Sequence, residues 1–295
     1  MKNIRVIARL DIKGPNLVKG VHLEGLRVLG KPEYFSKYYY ENGADELFYM
    51  DIVASLYGRN NLLHIVERTA KHTSIPLTVG GGLRSIDDIK AALRAGADKV
   101  CINTAALKNP EFIREAANRF GSSTIMVAIE AIKQLDGTYQ AYTDNGREYT
   151  GVEVLAWAKQ VCELGAGEIM MTSVDREGTG LGFDLDITQK VAQAVPIPVI
   201  AHGGPGDLSH FAQVIKEGQA DAVTVASMIH YDFIMNNRID ADYSDEGNIE
   251  FLKKEREFTK IKKSNIQEIK MSLLKNDIPC RHQLKEEEKE RPANV

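Results

Sequence analysis

Four blocks of this chain occur twice at nearly the same separation, and that duplication limits the possible folds more than any other feature. Residues 8–13 (ARLDIK) resemble 127–132 (VAIEAI), and 44–51 (ADELFYMD) resemble 166–173 (AGEIMMTS). Residues 79–85 (VGGGLRS) resemble 201–207 (AHGGPGD), and 98–107 (DKVCINTAAL) resemble 221–230 (DAVTVASMIH). The offsets are 119, 122, 122 and 123 residues. A period this long is not that of a solenoid. It is the length of half a domain.

Short β-branched runs alternate with helical patterns along the whole region. Strands are expected over residues 4–10, 46–51, 76–79, 98–102, 124–130, 168–173, 198–201 and 221–225. Most are nearly continuous apolar runs, as parallel strands buried on both faces require. Between them, Ile86, Ile89 and Leu93 fall on one helical face behind Ser85 as N-cap. Thr150 and Glu153 have the spacing of a capping box opening a helix over 151–164. Eight strands alternating with helices fit a parallel barrel or a doubly wound sheet. A duplicated (βα)4 unit decides for the barrel: a (β/α)8 TIM barrel made of two half-barrels, which 295 residues accommodate as one domain with a C-terminal extension. Residues 236–264 are polar and form an inserted segment, Ile266, Ile269 and Leu273 mark one more amphipathic helix, and 283–295 form a charged, disordered tail. The barrel domain is therefore expected over 1–282.

In such a barrel the chemistry belongs at the C-terminal ends of the strands. The polar residues there are Asp11, Asp51, Asn103, Glu130 and Asp175. Duplication puts Asp11 and Glu130 at equivalent places on opposite sides of the mouth. Two carboxylates in unequal environments can serve as acid and base; each is otherwise a rim carboxylate satisfied by a lysine. Glycine turns follow strand 3 (Gly80, Gly81, Gly82) and strand 7 (Gly203, Gly204). With Asn103 and Thr104 after strand 4, and Ala226 and Ser227 after strand 8, each forms a backbone nest suited to an oxyanion. Two such nests point to a substrate with two phosphates. The net charge is −4 and the pI about 6.0, so nothing suggests a nucleic-acid or membrane partner, and any phosphate site must be local. Cys101, Cys162 and Cys280 lack metal-ligand or disulfide spacing and suit a reducing cytoplasm. No metal or cofactor is implied. Arg5, Glu46, Lys99 and Glu168 come early in strands 1, 2, 4 and 6. Single buried charges would be costly, so the four form a ring at the barrel bottom, acting either as a structural plug or as a gate.

The motifs LDIKGPNLVKG (10–20), ADELFYMDIVAS (44–55), TVGGGLRS (78–85), ADKVCINTAAL (97–107), GAGEIMMTSVDREGTGLGFD (165–184) and AHGGPG (201–206) carry a family resemblance. Over residues 4–234 and again over 266–282, the chain resembles the cyclase subunits of imidazole glycerol phosphate synthase, enzymes of histidine biosynthesis. The resemblance implies ammonia from a separate glutaminase subunit, docked at the N-terminal face and feeding the barrel bottom. It implies condensation at the top with phosphoribulosyl-formimino-aminoimidazole carboxamide ribotide, giving imidazole glycerol phosphate and the aminoimidazole carboxamide ribotide. It places the catalytic aspartate at Asp11, the loop lysine at Lys19, and the gate at Arg5, Glu46, Lys99 and Glu168. It places phosphate contacts at Gly82, Asn103, Thr104, Asp175, Gly178, Gly203, Gly204, Ala226 and Ser227.

Four positions depart from the family pattern. Glu130 replaces its second catalytic aspartate, Arg9 a cysteine, His202 a small residue, and Glu177 an aspartate. Arg9 beside Asp11 is expected to lower that carboxyl's pKa. These changes keep two further readings open: a paralogue that delivers ammonia for acetamidino formation on a nucleotide sugar in surface-polysaccharide synthesis, and a weakly catalytic scaffold that activates a glutaminase.

Overall fold

The computed structural model describes residues 2–54, 62–237 and 260–282. Its strands run in chain order as β1 (Arg5–Lys13), β2 (Asn16–Val21), β3 (Glu24–Gly30), β4 (Glu46–Asp51), β5 (Leu77–Gly80) and β6 (Lys99–Ile102). They continue as β7 (Ile125–Lys133), β8 (Tyr139–Thr143), β9 (Glu148–Glu153), β10 (Glu168–Ser173), β11 (Val199–His202) and β12 (Ala222–Val225). Eight of them close in parallel order β1-β4-β5-β6-β7-β10-β11-β12 and back to β1. This is the expected (β/α)8 barrel, and all eight expected strands form within a few residues of their sequence bounds. Among the described residues no helix is long and apolar enough to cross a membrane.

Strand alternation sorts side chains between two apolar cores. Outward residues such as Val6, Ala8, Leu10, Leu47, Val127 and Ile169 pack under the helices. Inward residues Ile7, Phe48, Cys101, Met126, Ala128, Met170, Ile200 and Ala222 fill the barrel axis. Helix Ile86–Arg94 starts at Ser85, whose side chain accepts from the Asp88 N–H in a reciprocal capping box. Helix Ile266–Lys275 starts the same way at Asn265 and buries Ile266, Ile269 and Leu273 as expected. Of the anticipated insertion, Asn236 ends helix Ser227–Asn236, and 238–259 lie outside the described residues, as does the tail 283–295.

The duplication extends to details of backbone bonding. The Leu77 N–H donates to Asp98 Oδ2 at 2.8 Å, and the Val199 N–H to Asp221 Oδ2 at 2.9 Å. Asn103 and Ala226 have nearly the same unusual backbone conformation, φ −136°, ψ −83° and φ −131°, ψ −78°. Both halves also carry an antiparallel hairpin after their first strand, β2–β3 after β1 and β8–β9 after β7. Neither hairpin is expected from the strand periodicity. The second one corrects the capping-box expectation: Thr150 and Glu153 lie in β9, and the helix is Val154–Glu163. The Glu153 carboxylate caps it, accepting from the Leu155 and Ala156 N–H groups at 2.9 and 2.7 Å.

The C-terminal helix is tied to the barrel by one carboxylate. Asp45 accepts from the Val6 N–H at 2.8 Å, from Lys270 Nζ at 2.8 Å and from Arg281 Nε at 3.1 Å, with the Lys270 side chain 2% exposed. Removing a buried ion's partner typically costs about 3–5 kcal/mol. Asp45→Ala is therefore expected to lower unfolding free energy by about 3 kcal/mol or more in urea titrations. Lys2→Ala breaks an exposed pair with Asp221 and is expected to change it by less than about 1 kcal/mol.

Candidate active site

The C-terminal rim of the barrel holds two cradles, one from each half. The first is a cavity of about 140 Å³ lined by Gly81, Gly82, Asn103, Thr104, Asp51 and Glu130, among others. The second, of about 20 Å³, is lined by Gly178, Gly203, Gly204, Ala226, Ser227, His202 and Glu177, among others. Glycine is required at the equivalent Gly81 and Gly203, with φ of +92° and +93°. A Cβ there would lie 2.1 Å from the Asp51 carbonyl oxygen or 2.7 Å from the Ser173 one. Without side chains, the backbone approaches whatever fills the hollow, and N–H groups can be presented to an oxyanion.

Asp11 lies at the upper end of β1 and is buried. Arg9 Nε donates to its Oδ1 at 2.8 Å, and Lys19 Nζ stands 3.6 Å from Oδ2. Burial pushes the carboxyl up, but the Arg9 and Lys19 charges outweigh it and hold Asp11 well below the usual carboxylate range. Lys19, on the first hairpin, also pairs with the buried Glu177, whose other oxygen accepts from the Leu23 N–H at 3.1 Å. That hairpin is fastened further by the His22 N–H, which donates to the Glu177 carbonyl at 3.0 Å.

Glu130, at the equivalent place on β7, has different surroundings. Burial pushes its carboxyl up to about 7; the Gly146 N–H at 2.8 Å, the Arg9 charge and the Asn103 amide offset this only in part. The second hairpin thus supplies Gly146 to Glu130 and leans over the first cradle, where the Asp144 N–H meets Thr104 Oγ1 at 3.4 Å. The surroundings thus push the two carboxyls in opposite directions, Asp11 down and Glu130 up to about 7.

Asp51 lines the first cradle and accepts from the Val53 N–H at 3.1 Å. Asp175 is the exception among the expected phosphate contacts. It accepts from the Lys133 N–H at 2.9 Å and lines a separate cleft with Tyr139 and Asp186, so it joins neither cradle. At the barrel bottom, Arg5 meets Glu46 at 2.5 Å and Glu168 at 2.7 Å, while Lys99 meets Glu168 at 2.9 Å and Glu46 at 3.4 Å. The four charges close the ring that their early strand positions imply. Cys101 faces the axis, and burial pushes its thiol up to about 12.

Residues 5–235 match a family described as "Histidine biosynthesis protein". The chain belongs to this family. Over 211 residues it is 59% identical to a protein of Legionella pneumophila named "Imidazole glycerol phosphate synthase subunit HisF", a match spanning 72% of this chain and 100% of that relative. Sequence alone leaves the Arg9–His202 contact invisible within this family member: Arg9 Nη1 lies 3.3 Å from His202 Nδ1, yet 193 residues separate them. The only sequence signal was that both positions depart from the family pattern.

Glu130 also sets a pH dependence of stability. Its folded pKa of about 7 lies above the ordinary value of 4.5, so between those limits the folded state holds a proton that the unfolded chain releases. Stability therefore falls as pH rises through that window. Glu130→Gln is expected to be more stable than the parent by about 3 kcal/mol at pH 8 and by less than about 1 kcal/mol at pH 5. Urea titrations at both pH values check this; an equal difference at the two would exclude Glu130 as the titrating group.

Proposed function

We propose that this protein is the ammonia-dependent cyclase subunit of imidazole glycerol phosphate synthase, and that Asp11 and Glu130 carry out its acid–base chemistry. The observation that supports this most is the placement of two unlike carboxylates, one from each half-barrel, on one rim with two anion cradles. The substrate is the phosphoribulosyl-formimino-aminoimidazole carboxamide ribotide, whose two phosphates occupy the cradles: Gly82, Asn103 and Thr104 at one end, Gly178, Gly203, Gly204, Ala226 and Ser227 at the other. Two anchored ends fix the reacting middle over the barrel mouth, where holding reactants in place lowers the barrier.

Attack of ammonia puts positive charge on nitrogen. Asp11, ionised at every working pH, stabilises that charge, and a fixed anion in a water-poor site does so without reorganisation. Glu130 carries the proton. A group that titrates at about 7 can both accept from the attacking nitrogen and donate to the departing aminoimidazole nitrogen. Lys19 holds the first hairpin to Glu177 and adds a cation beside Asp11. The products are imidazole glycerol phosphate, the aminoimidazole carboxamide ribotide and one water, which takes away the keto oxygen that ammonia replaces.

Ammonia comes from a separate glutaminase docked on the N-terminal face, above whose outlet Arg5, Glu46, Lys99 and Glu168 act as a gate. Opening it exchanges ion pairs within the ring, so no charge has to be left alone.

Turnover with ammonium salts and no glutaminase separates this reading from that of an inactive scaffold, which would consume no substrate. Asp11→Asn is expected to lower kcat by at least about 10²-fold while phosphate-ligand binding persists; unchanged turnover would exclude Asp11. The pH profile of kcat/KM is expected to show a limb near 7 that Glu130→Gln abolishes. A limb that survives that substitution belongs to another group.

A further inference from the structure

The second cradle is not a copy of the first. Position 202 is histidine where the equivalent position in the first half, 80, is glycine, and position 9 is arginine where its counterpart, 128, is alanine. These two departures meet. Arg9 is buried in the axis, its guanidinium 5.4 Å from the Phe48 ring centre, 3.5 Å from Met170 Sδ and 3.3 Å from His202 Nδ1. It therefore reaches from the β4 wall to the β10 and β11 wall.

A guanidinium can only donate hydrogen bonds. His202 Nδ1 must then carry the lone pair, and the ring proton sits on Nε2. Thr172 Oγ1 also engages Nδ1, at 3.1 Å, so among the described residues both hydrogen bonds of this ring are made through that one nitrogen. His202 is only 4% exposed, and it lines the second cradle beside Gly178, Gly203, Gly204 and Ser227. The Glu177 carboxylate in the same wall is compensated by Lys19 and the Leu23 N–H, so it does not repel an anion as a free charge would.

We infer that His202 is a ligand-contacting donor of the second cradle, offering Nε2–H to a phosphate oxygen, and that Arg9 is the positioning residue that fixes its tautomer. The inference rests on the anion-binding reading of the cradles. It adds a donor that the first cradle lacks, and it makes the second cradle the smaller of the two, about 20 against 140 Å³. Burial and the Arg9 charge both push the ring's pKa far below its ordinary value, so the donor is a neutral imidazole. Such a site suits a compact tetrahedral oxyanion, as at the end of a phosphate monoester.

Inorganic phosphate is the probe, titrated into the full chain by calorimetry and followed by 15N spectra of the histidine rings. The wild type is expected to bind two equivalents, with His202 in the Nε2–H form and its Nε2 resonance moving on phosphate addition. Gly82→Ala, at φ +72°, disables the first cradle and so assigns the two isotherms. His202→Ala is expected to weaken only the second, by about tenfold or more, and His202→Gln, which keeps a donor near the Nε2 position, to restore most of it. Arg9→Met is expected to release the ring into a mixture of tautomers. If the wild type binds no phosphate, the cradles are not anion sites and the inference falls with that reading. If two equivalents bind but His202→Ala leaves both affinities unchanged, the cradles stand and the role of His202 is overturned. An Nδ1–H ring in the wild type overturns the role of Arg9 without any substitution that could disturb folding.

Discussion

The Arg9–Asp11 ion pair inside the barrel is the contact around which the upper half of the molecule is organised. A carboxylate taken out of water without a counter-charge takes up a proton instead. Asp11 has Arg9 at 2.8 Å and Lys19 at 3.6 Å, so it stays ionised. Lys19 is in turn shared with Glu177, which anchors the first hairpin. Arg9 Nη1 turns to His202 and Met170. At the barrel bottom the same rule closes a ring of two cations and two carboxylates. Glu130 is buried with only the Gly146 N–H and the Asn103 amide, both neutral, as hydrogen-bond partners, so burial raises its affinity for a proton.

Duplication explains why the site has two ends. Gly81 and Gly203 adopt the same backbone conformation because each runs past the carbonyl of the preceding strand, Asp51 in one half and Ser173 in the other. Asn103 and Ala226 make the same turn into a helix although their side chains differ. The repeated geometry is thus held by the backbone, and the side chains are free to diverge. Both halves also place a hairpin over the rim, and each hairpin leans on the cradle of the opposite half, through Asp144 and Thr104 in one case and through Glu177 in the other.

The eight barrel strands were legible because strands buried on both faces appear as apolar runs, whatever surrounds them. The hairpins were not, for a local reason. In β2 and β3, Gly20 and Gly25 interrupt an already short apolar run, and the turn residues His22 and Leu23 take positive φ without the usual turn sequence. In the second hairpin the Asp144, Asn145 and Gly146 turn signal was present, but Thr150 and Glu153 looked like a helix start. Glu153 does cap the helix, with its own side chain, three residues later than the box spacing implied. Asp11 and Glu130 could be placed on one rim from the repeat alone. The inequality of their environments was readable only in part: Arg9 announces the fate of Asp11 from two residues away, whereas Gly146 and Asn103 reach Glu130 only through the fold. Asp175 follows a strand end as the other site residues do, but its carboxylate turns to the Lys133 N–H in the neighbouring loop.

Cations set close to only one of the two carboxylates make the pair unlike. Two equivalent buried carboxylates, both without counter-charge, would both be protonated near neutrality, and the site would have acids but no anion. Two fully paired ones would both be ionised, and nothing at the rim would exchange a proton at pH 7. The symmetric inheritance from duplication leads to one of these two outcomes unless something breaks it. Arg9 breaks it, because its counterpart in the other half is Ala128 and because a guanidinium cannot lose its charge on burial. The same side chain carries the asymmetry on to His202, whose counterpart is Gly80, so the difference between the carboxylates and the difference between the cradles have a common origin. Arg9, with Lys19 on the Asp11 side, thus gives the two ends of a nearly symmetric mouth unlike surroundings.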